Sequence, residues 1–400
     1  MKKFLAGNRL TLLKNGAEYF PALEAAFDQA REHIHLETYI YRDDEAGQRI
    51  AQALMRAARR GVKTHLMIDG FGSHPLPETL LQTMRDGGVQ VLIYRPRISL
   101  WKPHFHKLRR LHRKLAVVDA STGFVGGINI INDASGPDAP PQLDYAVAVE
   151  GPLVGEIFAA MRRVWNLVSW SQLLQPRQRE HLLHGMPPPA GTTRARFLLR
   201  DNLRHRRAIE KAYLRAIGKA HKEILIANAY FLPGTRFRHA LIAAARRGVR
   251  VIVLAQGQTD HPMANYATQA LYGRLLDSGV EIHQYNRSVL HAKAAVIDGV
   301  WATVGSSNID PFSLVLSREA NVAAYEHEFA GALRASLQQE MDNGATRVAP
   351  EAWRAVPLHK RLLIWVSYGI VRLMMGMVNY AHDDPKPLYR RASRTINDGM

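Results

Sequence analysis

Two short stretches of this sequence carry side chains able to work on a phosphodiester. In HRKLAVVDASTGFVGGIN, His112 and Lys114 stand two apart, and HAKAAVIDGVWATVGSSN repeats the pair as His291 and Lys293. If the residues after each pair form a strand, imidazole and ammonium project from one face. Asn129 and Asn308 each follow their histidine by 17 residues, so a strand pair turning near Ala120–Thr122 or Gly299 returns the amide beside the imidazole. One imidazole can then attack phosphorus, the other can protonate the leaving oxygen, and lysines and amides can hold the equatorial oxygens. Lysine and amide donors take the place that Mg²⁺ holds in many phosphoryl-transfer enzymes, so no metal and no cofactor is expected.

A lone histidine near a lysine on a strand is ordinarily a surface pair. Two copies with the same His, Lys, Asp, Gly and Asn spacing, both at an offset of 179 residues, overturn that reading. Asp119 and Asp298 complete each motif at the end of its strand, where a carboxylate favours a turn or salt bridge over proton transfer. Ser306 could donate to phosphate, although its counterpart is Gly127, so a backbone role is equally open. Glu319 lies 28 residues after His291 and Asp144 lies 32 after His112; each could accept an imidazole N–H and orient the ring. The remaining histidines do not spell a metal site: His181 with His184, and His104 with His106, lack a nearby carboxylate in a ligand pattern.

These residues need a scaffold that occurs twice. AARRGV at 57–62 returns at 244–249, each time between a helix-like stretch and an apolar run. Runs at 33–41, 62–70 and 89–96 alternate with helical patterns, as do ILIANAYF, VRVIVLAQG and VEIHQYN in the second copy. The expected class is α/β, built as tandem repeats over residues 1–185 and 194–348. The prolines of 186–193 make a linker, and 349–400 form a C-terminal tail. Within the tail, Leu362 to Tyr380 approaches the length of a bilayer span, but Arg372 and Asn379 would be costly at depth. It reads as an amphipathic helix, either lying in a membrane interface or covering the core.

A formal charge of +18 requires an anionic partner, either nucleic acid or anionic lipid. Between Arg95 and Lys114 there are eight Lys or Arg and no acid, with Trp101 and Phe105 interleaved. Aromatics among cations also suit nucleic acid, but the apolar tail favours a membrane surface. With no cysteine, disulfides and thiolate catalysis are excluded, which fits a reducing compartment without establishing one. The opening residues are too short an apolar run for a signal peptide.

The paired HxKxxxxD motifs, with GGIN and GSSN downstream, resemble the phospholipase D superfamily. Within it, HRKLAVVDASTGFVGGINI, DYAVAVEGP and HAKAAVIDGVWATVGSSNIDPFSLVLSREANV resemble the bacterial cardiolipin synthases of the B type. The likeness spans roughly residues 8 to 345. It implies two repeats packed around one shared active site, with Asp119 and Asp298 counted in the catalytic set. It also implies His112 as nucleophile, His291 as acid then base, and Lys114, Lys293, Asn129 and Asn308 on phosphate, with Asp144 and Glu319 behind the histidines. The implied reaction joins two phosphatidylglycerols into cardiolipin and glycerol through a phosphatidyl-histidine, at the cytoplasmic side of the inner membrane. Hydrolysis to phosphatidic acid and a nuclease acting on nucleic acid are the rival reactions, and a non-catalytic lipid scaffold is a third alternative. Asp310-Pro-Phe312-Ser313 departs from the Arg-Ser common after the second motif, which leaves donor and acceptor open.

Overall fold

A computed structural model describes residues 3–95, 110–134, 139–172, 186–201, 205–258, 262–310 and 317–380. Trp101 and Phe105 with most of the basic stretch, His104, His106, His181, His184, Phe312 and Ser313 lie outside the described residues. The first repeat comprises β1 (Leu5–Lys14), α1 (Asn15–Gln29), β2 (His33–Thr38), α2 (Glu45–Arg59), β3 (Lys63–Asp69), α3 (Glu78–Asp86), β4 (Gln90–Tyr94), β5 (Arg110–Leu111), β6 (Lys114–Val118), β7 (Thr122–Gly126), β8 (Tyr145–Glu150) and α4 (Leu153–Ser171). The second comprises β9 (Thr193–Arg200), α5 (Ala208–Gly218), β10 (Glu223–Asn228), α6 (Thr235–Arg246), β11 (Arg250–Gln256), α7 (Pro262–Gln269), α8 (Tyr272–Leu276), β12 (Glu281–Tyr285), β13 (Lys293–Ile297), β14 (Trp301–Gly305), β15 (Ser317–Tyr325), α9 (His327–Gly344) and β16 (Ala345–Arg347).

The two halves use one strand plan. β2, β3 and β4 run parallel, β6 pairs antiparallel with β2, and β6, β7 and β8 continue as antiparallel neighbours. β10 to β15 repeat the plan, and the β1–β9 ladder joins the halves into one strand path. The AARRGV echo is the stop before a parallel strand. In each copy the glycine after the helix takes a left-handed φ, +91° at Gly61 and +86° at Gly248. The next residue then closes on the helix, Val62 N–H to Ala57 C=O at 3.2 Å and Val249 N–H to Ala244 C=O at 3.1 Å, a Schellman ending.

Helices cover both faces, so the parallel strands read as unbroken apolar runs. α1, α2 and α3 pack Leu23, Phe27, Leu54 and Met84 on one outer face, and α5 to α8 cover the other. Between the halves, Ile157 and Met161 of α4 and Leu333 and Leu337 of α9 share a core with Val117, Val147, Val296 and Val322. This shared core sets β7 and β8 opposite β14 and β15.

The chain beyond residue 348 packs on the second repeat. Trp353, in α10 (Pro350–Arg354), lies 5.3 Å from the Tyr272 ring. α11 (Leu358–Tyr380) packs on α7 and buries Ile364, Ser367 and Val371. Its opposite face is exposed, so one helix both covers the core and presents apolar surface.

Arg113 fixes the first motif strand. Alternation turns it away from His112 and Lys114, and its fork meets Glu37 at 2.6 and 2.9 Å and the Ala160 carbonyl at 3.1 Å. Both side chains are fully buried, so removing one leaves an uncompensated charge. Arg113→Ala should therefore destabilise the protein by about 3–5 kcal/mol, whereas replacing both partners, Arg113→Met with Glu37→Leu, should recover most of that. Thermal or urea unfolding of the two variants checks this; an Arg113→Ala protein as stable as the parent would remove the anchor from the account.

Candidate active site

His112 and His291 precede β6 and β13 at the edge where the halves meet. The carboxylates do not act within their own copy: each crosses to the other. His112 Nδ1 lies 3.1–3.2 Å from the Glu319 carboxylate, and His291 Nδ1 lies 2.6 Å from Asp144 Oδ2. The backbone makes the same crossing. His112 N–H donates to the Arg318 carbonyl at 3.1 Å and His291 N–H to the Leu143 carbonyl at 2.9 Å, in each case the residue before the carboxylate.

Asp144 and Glu319 are structural equivalents despite their unequal spacing. Ala146 faces Gly126 and Asn321 faces Gly305, and each carboxylate stands two residues before that partner. The difference between Gly127 and Ser306 follows. A Cβ at Gly127 would meet Asp144 Oδ1 at 2.3 Å, so the first copy has no room for a side chain. Glu319 is one methylene longer, and the Ser306 hydroxyl donates to its Oε2 at 2.5 Å. Of the two roles left open for Ser306, donation to phosphate or a backbone role, neither describes its hydroxyl proton, which is engaged by Glu319.

Asp119 and Asp298 stand at the far ends of β6 and β13, away from the histidines. Asp119 accepts the backbone N–H groups of Arg31, Glu32 and His33 at 2.8–2.9 Å, and Asp298 those of His221, Lys222 and Glu223 at the same range. Both have left-handed φ, 48° and 54°, as a tight hairpin turn requires. They anchor the strand entering β2 or β10, which corrects their place in the catalytic set.

The lysines lie inside. Lys114 Nζ donates to the His112 carbonyl at 2.9 Å and stands 3.4 Å from its Nε2; Lys293 Nζ donates to the His291 carbonyl and lies 3.9 Å from Asp144. Asn129 accepts the Ile40 N–H at 3.1 Å and lines a pocket with Asp144 and His291. Asn308 is buried, with no hydrogen-bond partner for its Oδ1 among the described residues, and lines a cavity with Tyr213 and Phe237. The structure thus gathers both histidines, both lysines, both carboxylates and Asn129, and sets Asn308 beside a neighbouring cavity.

Two contributors left no signal in the spacing. Tyr39 sets its ring 4.7 Å from His112, with Lys114 Nζ 5.3 Å from its centroid, a cation–π arrangement. Arg200, fully buried opposite Glu319 in the β9–β15 ladder, reaches its Oε1 at 3.5 Å. Each is a single residue far from the motifs in the chain.

Burial governs the titration. It lowers His112, with Glu319 pulling upward and both lysines pushing further down. It pushes His291 down to about 4, helped by Lys293 and opposed by Asp144. Lys114 falls to about 7 through burial and the Lys293 charge, and Lys293 to about 8 through burial. Both imidazoles are therefore neutral at pH 7, each with Nδ1–H directed at a carboxylate and Nε2 free to act. Among the described residues no group of His, Asp and Glu could hold a metal ion.

The chain matches the family described as "Cardiolipin synthase, PLD-like domain" over residues 23–165 and 213–341. It is 41% identical to cardiolipin synthase B of Escherichia coli K12 over 334 residues, 83% of this chain and 80% of that protein. It is 29% identical to cardiolipin synthase 1 of Bacillus anthracis over 90% of this chain and 71% of that one. A phosphatidylserine synthase of Haemophilus influenzae superposes with a TM-score of 0.68 at 13% identity, covering 94% and 96% of the two chains. That last likeness is one of fold.

Because an ammonium is charged below its pKa and lost above it, phosphate recognition should weaken as pH rises through about 7 to 8. The expected result is a kcat/KM for a soluble phosphodiester that falls between pH 6 and 9. The limb in kcat should lie at higher pH, because a bound anion raises both lysines. A kcat/KM flat across that range would exclude the lysines as the phosphate-binding cations.

Proposed function

We propose that this chain, which belongs to the phospholipase-D-like cardiolipin synthase family, joins two phosphatidylglycerol molecules into cardiolipin with release of glycerol. The observation that carries the reading is the crossed pair of half-buried imidazoles, each held by the opposite repeat's carboxylate. His112 Nε2 attacks phosphorus while its Nδ1–H stays on Glu319, forming a P–N bond as the P–O bond to glycerol breaks. The departing oxygen takes its proton from His291, whose low affinity for a proton in the empty site rises as the phosphate anion arrives beside it. The hydroxyl of a second phosphatidylglycerol then returns a proton to His291, attacks phosphorus and releases His112. Lys114, Lys293 and the Asn129 amide stabilise the equatorial oxygens. The carboxylates keep each ring in the tautomer that leaves Nε2 free.

The two substrates are bilayer lipids and the chain carries a formal charge of +18, so the enzyme works on an anionic membrane surface, peripherally and from the cytoplasmic side. Among the described residues no helix is long and apolar enough to cross a membrane.

Labelled phosphatidylglycerol vesicles incubated with the protein in EDTA should yield cardiolipin and glycerol. Phosphatidic acid alone would make it a hydrolase, and restoration by a divalent ion would refute the metal-free scheme. His112→Ala should lower transfer roughly a thousandfold or more and abolish any trapped lipid adduct. An adduct that survives in His112→Ala would place the nucleophile elsewhere.

A further inference from the structure

The outward face of α11 is an apolar feature that the catalytic geometry does not use. Leu358, Leu362, Val366, Ile370 and Leu373 recur at helical spacing along it, with Leu362 and Leu373 each 66% exposed. The inner face holds this helix in place through Ile364, Ser367 and Val371, so the apolar stripe is a fixed surface. Contiguous apolar surface on a helix held this way marks an interaction site. Arg372 is exposed beside the stripe, so its rim carries a cation.

Beside the stripe is a cavity of about 140 Å³ between α6, α8 and α11. Its walls are Ile242, Leu271, Leu275 and Tyr368, and Arg238 and Arg274 line it too. Among the described residues neither guanidinium is paired with a carboxylate; Arg238 donates to the Thr235 hydroxyl at 3.2 Å. Trp365 belongs to both features: it lines the cavity and is 59% exposed, so the cavity opens at the flank of the stripe. A hollow with an apolar floor and two guanidiniums, opening beside an apolar helix face, matches a phospholipid at the bilayer interface, with phosphate at the arginines and acyl chains along the helix. It has room for a phosphate ester rather than for a single water.

We propose that α11 and the cavity beneath it form a docking site for an anionic bilayer, distinct from the histidine pair. The stripe enters the acyl layer, and Arg238 and Arg274 take the phosphate of one lipid. This rests on the reading that the substrates are bilayer lipids, and it adds a second lipid contact that performs no chemistry. The site holds the enzyme at the surface from which its substrates come.

Sedimentation with phosphatidylcholine vesicles, with and without phosphatidylglycerol, tests the proposal on the full chain. The Leu362→Asp, Val366→Asp, Ile370→Asp triple variant should lose vesicle binding at least tenfold yet turn over short-chain, water-soluble phosphatidylglycerol as the parent does. Arg238→Gln with Arg274→Gln keeps the stripe, so it should lower binding to phosphatidylglycerol vesicles on the order of tenfold and leave binding to pure phosphatidylcholine unchanged. It also decides the matter if the triple variant fails to fold. Unchanged sedimentation of both variants overturns the proposal, and an arginine pair without effect overturns the cavity assignment. A triple variant that turns a dimer into a monomer with vesicle binding intact assigns the stripe to a second copy and also overturns it. A parent inactive on soluble substrate would refute the proposed reaction, while sedimentation would still decide the docking site.

Discussion

Two backbone hydrogen bonds hold the catalytic geometry together: His112 N–H to the Arg318 carbonyl and His291 N–H to the Leu143 carbonyl. Each ties a histidine-bearing segment of one repeat to the carboxylate-bearing segment of the other. Glu319 and Asp144 then lie directly behind the opposing imidazoles. Neither repeat alone can orient its own histidine. The shared core of α4 and α9 matters to chemistry for that reason, because it fixes the approach of β7 and β8 to β14 and β15 on which both crossings depend.

The same crossing shapes the electrostatics. Two lysines and two carboxylates are buried together, so their charges offset one another while burial keeps both imidazoles neutral. A cluster balanced in this way needs no counter-ion until a phosphate arrives. An incoming phosphate strengthens the charged form of every cation around it, which in the proposed reaction prepares His291 as the acid. In the proposed reaction the fixed ammonium and amide donors stabilise the equatorial oxygens without reorganising.

Much of this was legible in the residues. The doubled HxK spacing marked both histidines and both lysines, and the AARRGV echo marked the ends of α2 and α6 because only a left-handed glycine fits there. The alternation around Arg113 could be foreseen from the strand, but its partner Glu37 could not. The crossing itself was not legible, since a count along one chain cannot show that Glu319 serves His112. The role of Ser306 stayed open in the sequence because the length of the facing carboxylate, not the motif, decides whether a serine fits. Tyr39 and Arg200 come from strand ends with no repeated signal. The tail was ambiguous because its periodicity has two faces, one on α7 and one outward.

Single-turnover kinetics on a phosphodiester with a p-nitrophenolate leaving group tests the crossed assignment most directly, because such a group departs without an acid. If Glu319 orients the nucleophile and Asp144 the acid, Asp144→Asn should keep the burst and accumulate an adduct mapped by mass spectrometry to His112. Glu319→Gln should lose both burst and adduct. The opposite pattern, with the burst lost in Asp144→Asn and the adduct on His291, would contradict the account.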